Sequence, residues 1–114
     1  MNKVFIIGNL TRDPEGGSTA NGILYCRFTV AVQRRHTDAN GQRPADFLNV
    51  VCWRVLAENC LNYLSKGRKV AVVGHIETRS YDGNDGQRHY TTEIVAEEVE
   101  FMPRRNAAPD EIDE

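Results

Sequence analysis

The chain contains no Gly-rich phosphate loop ending in GK[ST], no HExxH helix, no nucleophile elbow, and no paired acids flanked by histidine at a recognisable spacing. The constellation that an enzyme would need is missing, and no enzyme is expected. An apolar run long enough to cross a bilayer is also missing, so no membrane partner is expected. The N-terminus, MNKVFIIGNLTRDP, is apolar only briefly before Asn, Thr, Arg and Asp follow, which is unlike a signal peptide. The expected location is therefore cytoplasmic. Cysteine is scarce and unpaired: Cys26, Cys52 and Cys60 are an odd set without CxxC spacing and read as buried free thiols rather than a disulfide or zinc site. His36, His75 and His89 have no ligand spacing either, and no metal or other cofactor is expected. With 114 residues the chain supports one domain with a modest core.

A surplus of positive charge is absent too, since the formal net charge is −2. Its distribution is uneven. Residues 1–92 carry 12 Lys and Arg against 8 Asp and Glu, a net +4, while residues 93–114 carry 2 against 8, a net −6. A basic body with an acidic end is compatible with a nucleic-acid partner and equally with an ordinary solvated surface.

Strand signals dominate the chain. Lys3 to Leu10 is apolar on both faces, Val4 and Ile6 on one and Phe5 and Ile7 on the other, which predicts one face in the core and the other against a second subunit. Asp13 to Gly22 reads as a loop or short hairpin. Tyr25 to His36 alternates, with Cys26, Phe28, Val30 and Val32 inward and Arg27, Thr29 and Gln33 outward. The turn residues Asp38-Ala39-Asn40-Gly41 lead through Pro44 into Ala45–Arg54, ADFLNVVCWR. There Leu48, Val50 and Cys52 share one face, and Phe47, Asn49, Val51 and Trp53 share the other. Burying the aliphatic face leaves Phe47 and Trp53 on the outside with Arg54 adjacent. Exposed rings near arginines suit single-stranded nucleic acid, which offers a flat base for each ring and a phosphate for each cation. The same rings would equally suit an oligomer interface.

One segment, Leu56 to Ser65, has helical spacing, with Leu56, Ala57, Cys60, Leu61 and Leu64 on its apolar side and Gly67 as the stop. Lys69 to Tyr81 then places Val70, Val72 and Ile76 inward and Val73, His75, Glu77, Arg79 and Tyr81 outward, with Gly74 as a bulge. Asp82 to Gly86 is a turn, and Arg88 to Phe101 the last strand. Three strands, a helix and two strands match an all-β OB-fold, a five-stranded Greek-key barrel with one helix between strands 3 and 4. The expected domain is 1–103, followed by a short acidic disordered tail, 104–114.

The residues also resemble a known family. Asn2-Lys3-Val4, the run Gly8 to Glu15, Asp46 to Trp53, Leu56-Ala57-Glu58-Asn59, Lys66-Gly67, Gly86-Gln87 and Tyr90-Thr91-Thr92-Glu93 are similar to bacterial single-stranded DNA-binding protein (SSB), in one register over about residues 1–102. The resemblance implies a homotetramer of OB-folds that binds single-stranded DNA without sequence preference in replication, recombination and repair. It places base stacking on His36, Phe47, Trp53 and Tyr81; His36 stands where the family usually has a larger aromatic. Phosphate contacts fall on Lys3, Arg34, Arg35, Arg54, Lys66 and Arg79 in the expected fold. Family members usually end in a long flexible linker and an acidic tip, closed by Pro-Phe, that recruits replication and repair proteins. Asp110 to Glu114 departs from that pattern, which leaves recruitment of replication and repair proteins open. The rival reading is an RNA-binding or protein-interaction OB module, since rings and arginines accept RNA as well as DNA.

Overall fold

Alternation of apolar and polar residues becomes strand wherever the sequence carries it, and the strands close on themselves. The computed structural model describes residues 1–103, so the tail expected at 104–114 lies outside the described residues. In chain order the elements are β1 (Val4–Leu10), β2 (Glu15–Ser18), β3 (Leu24–Gln33), β4 (Ala45–Trp53), α1 (Arg54–Tyr63), β5 (Lys69–Asp82) and β6 (Arg88–Phe101). β1 pairs with β5, β5 with β6, β6 with β4, β4 with β3, and β3 again with β1 through Asn9↔Ala31 and Leu10↔Val30. That ring of five is the expected barrel. The β4–β6 pairing alone is parallel among these, which is the mark of the Greek-key crossover through α1.

The core is filled by the inward residues of the ring: Cys26, Phe28 and Val30 of β3, Val50 and Cys52 of β4, Val70 and Val72 of β5, Ile94 and Ala96 of β6. Ala57 and Cys60 of α1 plug one end. All three cysteines are free and buried. Cys26 and Cys60, together with burial, push the Cys52 thiol up, and the neighbouring Cys52 lowers that of Cys26.

Several boundaries and faces differ from the sequence reading. The Asp13–Gly22 stretch is a hairpin arm, because β2 pairs with β3 from Glu15↔Arg27 to Ser18↔Leu24. β3 ends at Gln33 rather than His36, since the Arg34 N–H bonds to the Pro44 carbonyl at 2.9 Å and the chain then turns through Asp38–Gln42. The helix starts two residues early, at Arg54, directly from the strand and with no side-chain cap. Arg54 has φ +61°, a left-handed conformation that breaks the strand and that no glycine signals in advance. Helix α1 ends at Tyr63, before the expected Ser65, and Gly67, φ +86°, serves the following Ser65–Arg68 turn.

The bulge falls at Gly74 as expected, but the extra residue is on the partner strand. The register steps from Val73↔Glu98 to Gly74↔Ala96, leaving Glu97 unpaired. Ile76, expected inward, is 42% exposed, because it stands at the root of the two-stranded arm that β5 and β6 extend past the barrel, where it lines an open hollow with Val4, Phe47 and Leu48. Val51, expected outward, is fully buried, flanked in register by Arg27 on β3 and Val95 on β6. Asn2 ties the start of β1 to the root of this arm, its Nδ2 donating to the Ile76 carbonyl at 2.7 Å and its Oδ1 accepting the Ile76 N–H at 2.9 Å.

Candidate nucleic-acid interface

The register of β3 and β4 sets the outer surface pair by pair. Side chains directly opposite on one face of an antiparallel pair are neighbours, and here they are Tyr25↔Trp53, Arg27↔Val51, Thr29↔Asn49 and Ala31↔Phe47. An aromatic pair thus stands at one end. At the other, Phe47 rises over the small Ala31 and is 65% exposed. Six residues of strand separate the two rings, roughly 20 Å, and the ground between them is polar, with the Thr29 hydroxyl 3.2 Å from Asn49 Oδ1.

Trp53 is half-buried because Tyr25 leans against it, ring centroids 5.6 Å apart at 58°. The Arg27 guanidinium lies 5.5 Å from the Tyr25 ring centre and is ion-paired to Glu93. Glu93 is a buried carboxylate that also draws Arg79 of β5, whose Nη2 is 3.3 Å from Oε1. The Arg79 contact is an ion pair without hydrogen-bond alignment, so Oε1 has no hydrogen-bond donor among the described residues. Arg27, Arg79 and Glu93 line a shallow concavity of about 410 Å³ together with Arg12, Asp13 and Asn49. On the protruding arm, Tyr81 is 54% exposed and stacked on His89, opposite it in register, at 5.3 Å and 23°.

The residues singled out from the sequence are not all brought together. Phe47, Trp53 and Arg79 border the β3–β4 face, and Tyr81 extends it along the arm. His36 lies exposed on a bend in the β3–β4 loop, near Arg35, which is also exposed. Arg34 forks onto Asp46, with bonds of 2.9, 3.1 and 3.2 Å, which holds the Asp46 carboxyl below its usual range. Lys3 is ion-paired with Glu97 on a different side of the barrel. Arg54 and Lys66 are exposed at the two ends of the helical segment. Sequence reasoning missed Tyr25, Arg27 and Glu93. The outward parity of Arg27 was legible, but its pairing with a residue 66 positions away was not.

A separate apolar strip lies on β1 and β5. Phe5 is 71% and Ile7 54% exposed, opposite Val73 and Ala71. At its rim, His75 sits between two carboxylates, Nε2 2.8 Å from Glu77 Oε2 and Nδ1 2.8 Å from Glu97 Oε2. Glu77 first and Glu97 second raise its pKa. A histidine whose pKa rises on folding stabilises the fold fully below its unfolded value, about 6.5, and this contribution fades as pH climbs through the raised value. Ring-proton NMR titration should therefore give His75 a value above that of an unfolded histidine, and one that falls in Glu77→Gln. An unshifted midpoint in the native protein would contradict the geometry.

The sequence matches the model of the single-strand binding protein family over residues 1–102. It is 48% identical over 106 residues to the single-stranded DNA-binding protein of Bacillus cereus, covering 93% of this chain and 62% of that protein. With the single-stranded DNA-binding protein of Halalkalibacterium halodurans the identity is 49% over 107 residues, 94% of this chain and 64% of that one. With single-stranded DNA-binding protein 2 of Staphylococcus aureus strain Mu50 it is 48% over 106 residues, 93% and 75%. The chain thus spans less than two thirds of the length of the first two.

Proposed function

The chain belongs to the single-strand binding protein family, and on that premise we propose that it binds single-stranded DNA without sequence preference and protects it during replication, recombination and repair. The observation that carries this reading is the outer face of β3 and β4, where exposed or half-exposed rings stand at both ends of a polar, arginine-bearing surface. Bases stack on Phe47, Trp53 and Tyr81, with His36 as a smaller ring on the neighbouring loop. Stacking is indifferent to base identity because every base offers a π-face. Arg35, Arg54 and Lys66 reach phosphates from exposed positions. Arg34 exchanges the surface carboxylate of Asp46 for a phosphate when the strand arrives, and Arg79 meets the strand from the rim of the concavity beside the buried Glu93. Lys3, on a different side of the barrel, lies off this path. The domain is 1–103, acting in the cytoplasm at the nucleoid.

The test compares labelled oligo-dT, oligo-rU and duplex DNA of equal length at one salt concentration. Oligo-dT should bind well above both others, and its affinity should fall with added salt as phosphate counterions are released. Equal or tighter binding of oligo-rU would favour the RNA-binding alternative, and preference for duplex would overturn the reading.

The protein acts as a homotetramer. Phe5 and Ile7 present a contiguous apolar strip with Ala71 and Val73, and a strip of this kind is covered by another copy more economically than by water. Light scattering should give a mass near four times 12.9 kDa. A concentration-independent monomer would sink this assignment.

A further inference from the structure

We propose that Tyr25 is a positioning residue for Trp53, holding the indole at a preset tilt so that an incoming base meets an ordered ring. This rests on the reading that Trp53 stacks on single-stranded DNA. Tyr25 and Trp53 are direct cross-strand partners, and their rings meet at 5.6 Å. Tyr25 is itself held on two further sides. A Cβ added at Gly17 of β2 would meet the Tyr25 hydroxyl at 2.4 Å, so the tyrosine lies down on the bare backbone of that glycine. Across its ring stands the Arg27 guanidinium, anchored in turn by the buried Glu93.

The result is a continuous line of contacts, Gly17 to Tyr25 to Trp53 on one side and Tyr25 to Arg27 to Glu93 on the other. Each member of the line is in contact with the next. An ordered indole does not have to surrender rotamer freedom when a base arrives, and freezing one such side chain on binding would otherwise weaken affinity about two- to tenfold. Ring carbons of Tyr25 as well as its hydroxyl lie against Gly17, and the contacts to Trp53 and Arg27 are made by the ring, so the ring performs this role.

The experiment is a double-mutant cycle in the full chain, with native assembly confirmed for every variant by circular dichroism and light scattering. Tyr25→Val should weaken oligo-dT binding about two- to tenfold and, in the free protein, lower the fluorescence anisotropy of Trp53. Tyr25→Phe, which keeps the ring, should restore both. In a Trp53→Ala background, Tyr25→Val should produce no further loss, because the tyrosine acts through the tryptophan. Equal losses in both backgrounds would overturn the proposal by making Tyr25 an independent contact. An unchanged affinity or an unchanged anisotropy in Tyr25→Val would overturn it as well. A Trp53→Ala variant that binds as tightly as the wild type would instead remove the stacking reading on which the proposal rests.

Discussion

Replacing Trp53 with alanine is expected to weaken binding of oligo-dT by about 1–3 kcal/mol, the usual worth of one base stacked on one ring in proteins that hold single strands. Trp53 is the sole tryptophan, so the same titration in the wild type reports the contact through its fluorescence. Phe47→Ala should fall in the same range, because its ring is open to solvent and has only Ala31 opposite. Tyr81→Ala should lie toward the lower end. His89 already occupies one face of the tyrosine and remains as a partial platform when the phenol is removed. Isothermal titration at fixed salt measures all three. A correctly folded Trp53→Ala variant with wild-type affinity would remove the claim that this face holds the bases.

The second large effect concerns the bend at the root of the arm. A Cβ placed on Gly74 would lie 2.1 Å from the Val95 carbonyl oxygen and 3.1 Å from the Ala96 Cα. Both neighbours are backbone atoms of β6, next to the unpaired Glu97, and neither can move without opening the β5–β6 ladder. Gly74→Ala is therefore expected to cost about 3 kcal/mol, the upper part of the range for overpacking. Val70, Val72, Ile94 and Ala96 stand on either side of the bulge in the core, so the strain would pass directly into the barrel. Denaturant unfolding checks this, and a variant within 0.5 kcal/mol of wild type, roughly the scatter of neutral surface changes, would show that the bulge is not required.

The parts of the site that were legible in the sequence are those written in strand period. Phe47 and Trp53 were placed outward because Leu48, Val50 and Cys52 had to go inward, and Phe47 and Trp53 do stand on the outer side of β4. What was illegible depended on register and on what lies beyond the barrel. Tyr25 was read as the beginning of a strand; its meaning came from standing opposite Trp53, which requires knowing where an 11-residue connection lets the two strands meet. Glu93 looked like one acid in a charged strand, and only closure of the ring sets it against Arg27 and Arg79. Val51 and Ile76 have the right parity but the opposite exposure. One is covered by side chains of neighbouring strands, and the other extends past the core that parity assumes.

Tyr90 carries the same lesson. It is 74% exposed on the arm, opposite Ser80 and on the face away from Tyr81 and His89. Alternation alone assigns it to the inner side of β6. The helix start is different again, since Arg54 leaves the strand through a left-handed backbone that favours glycine, and the usual capping residues are missing.

The account turns on which surface the DNA strand touches, and photocrosslinking reads that directly. Oligo-dT carrying 5-iododeoxyuridine at successive positions would be irradiated on the assembled protein and the adducts located by mass spectrometry. Crosslinks should concentrate on Trp53, Phe47 and Tyr81, along the β3–β4 face and the arm. Crosslinks confined to Phe5 and its neighbours on the β1–β5 surface would contradict the assignment of that strip to subunit contact and of the β3–β4 face to DNA.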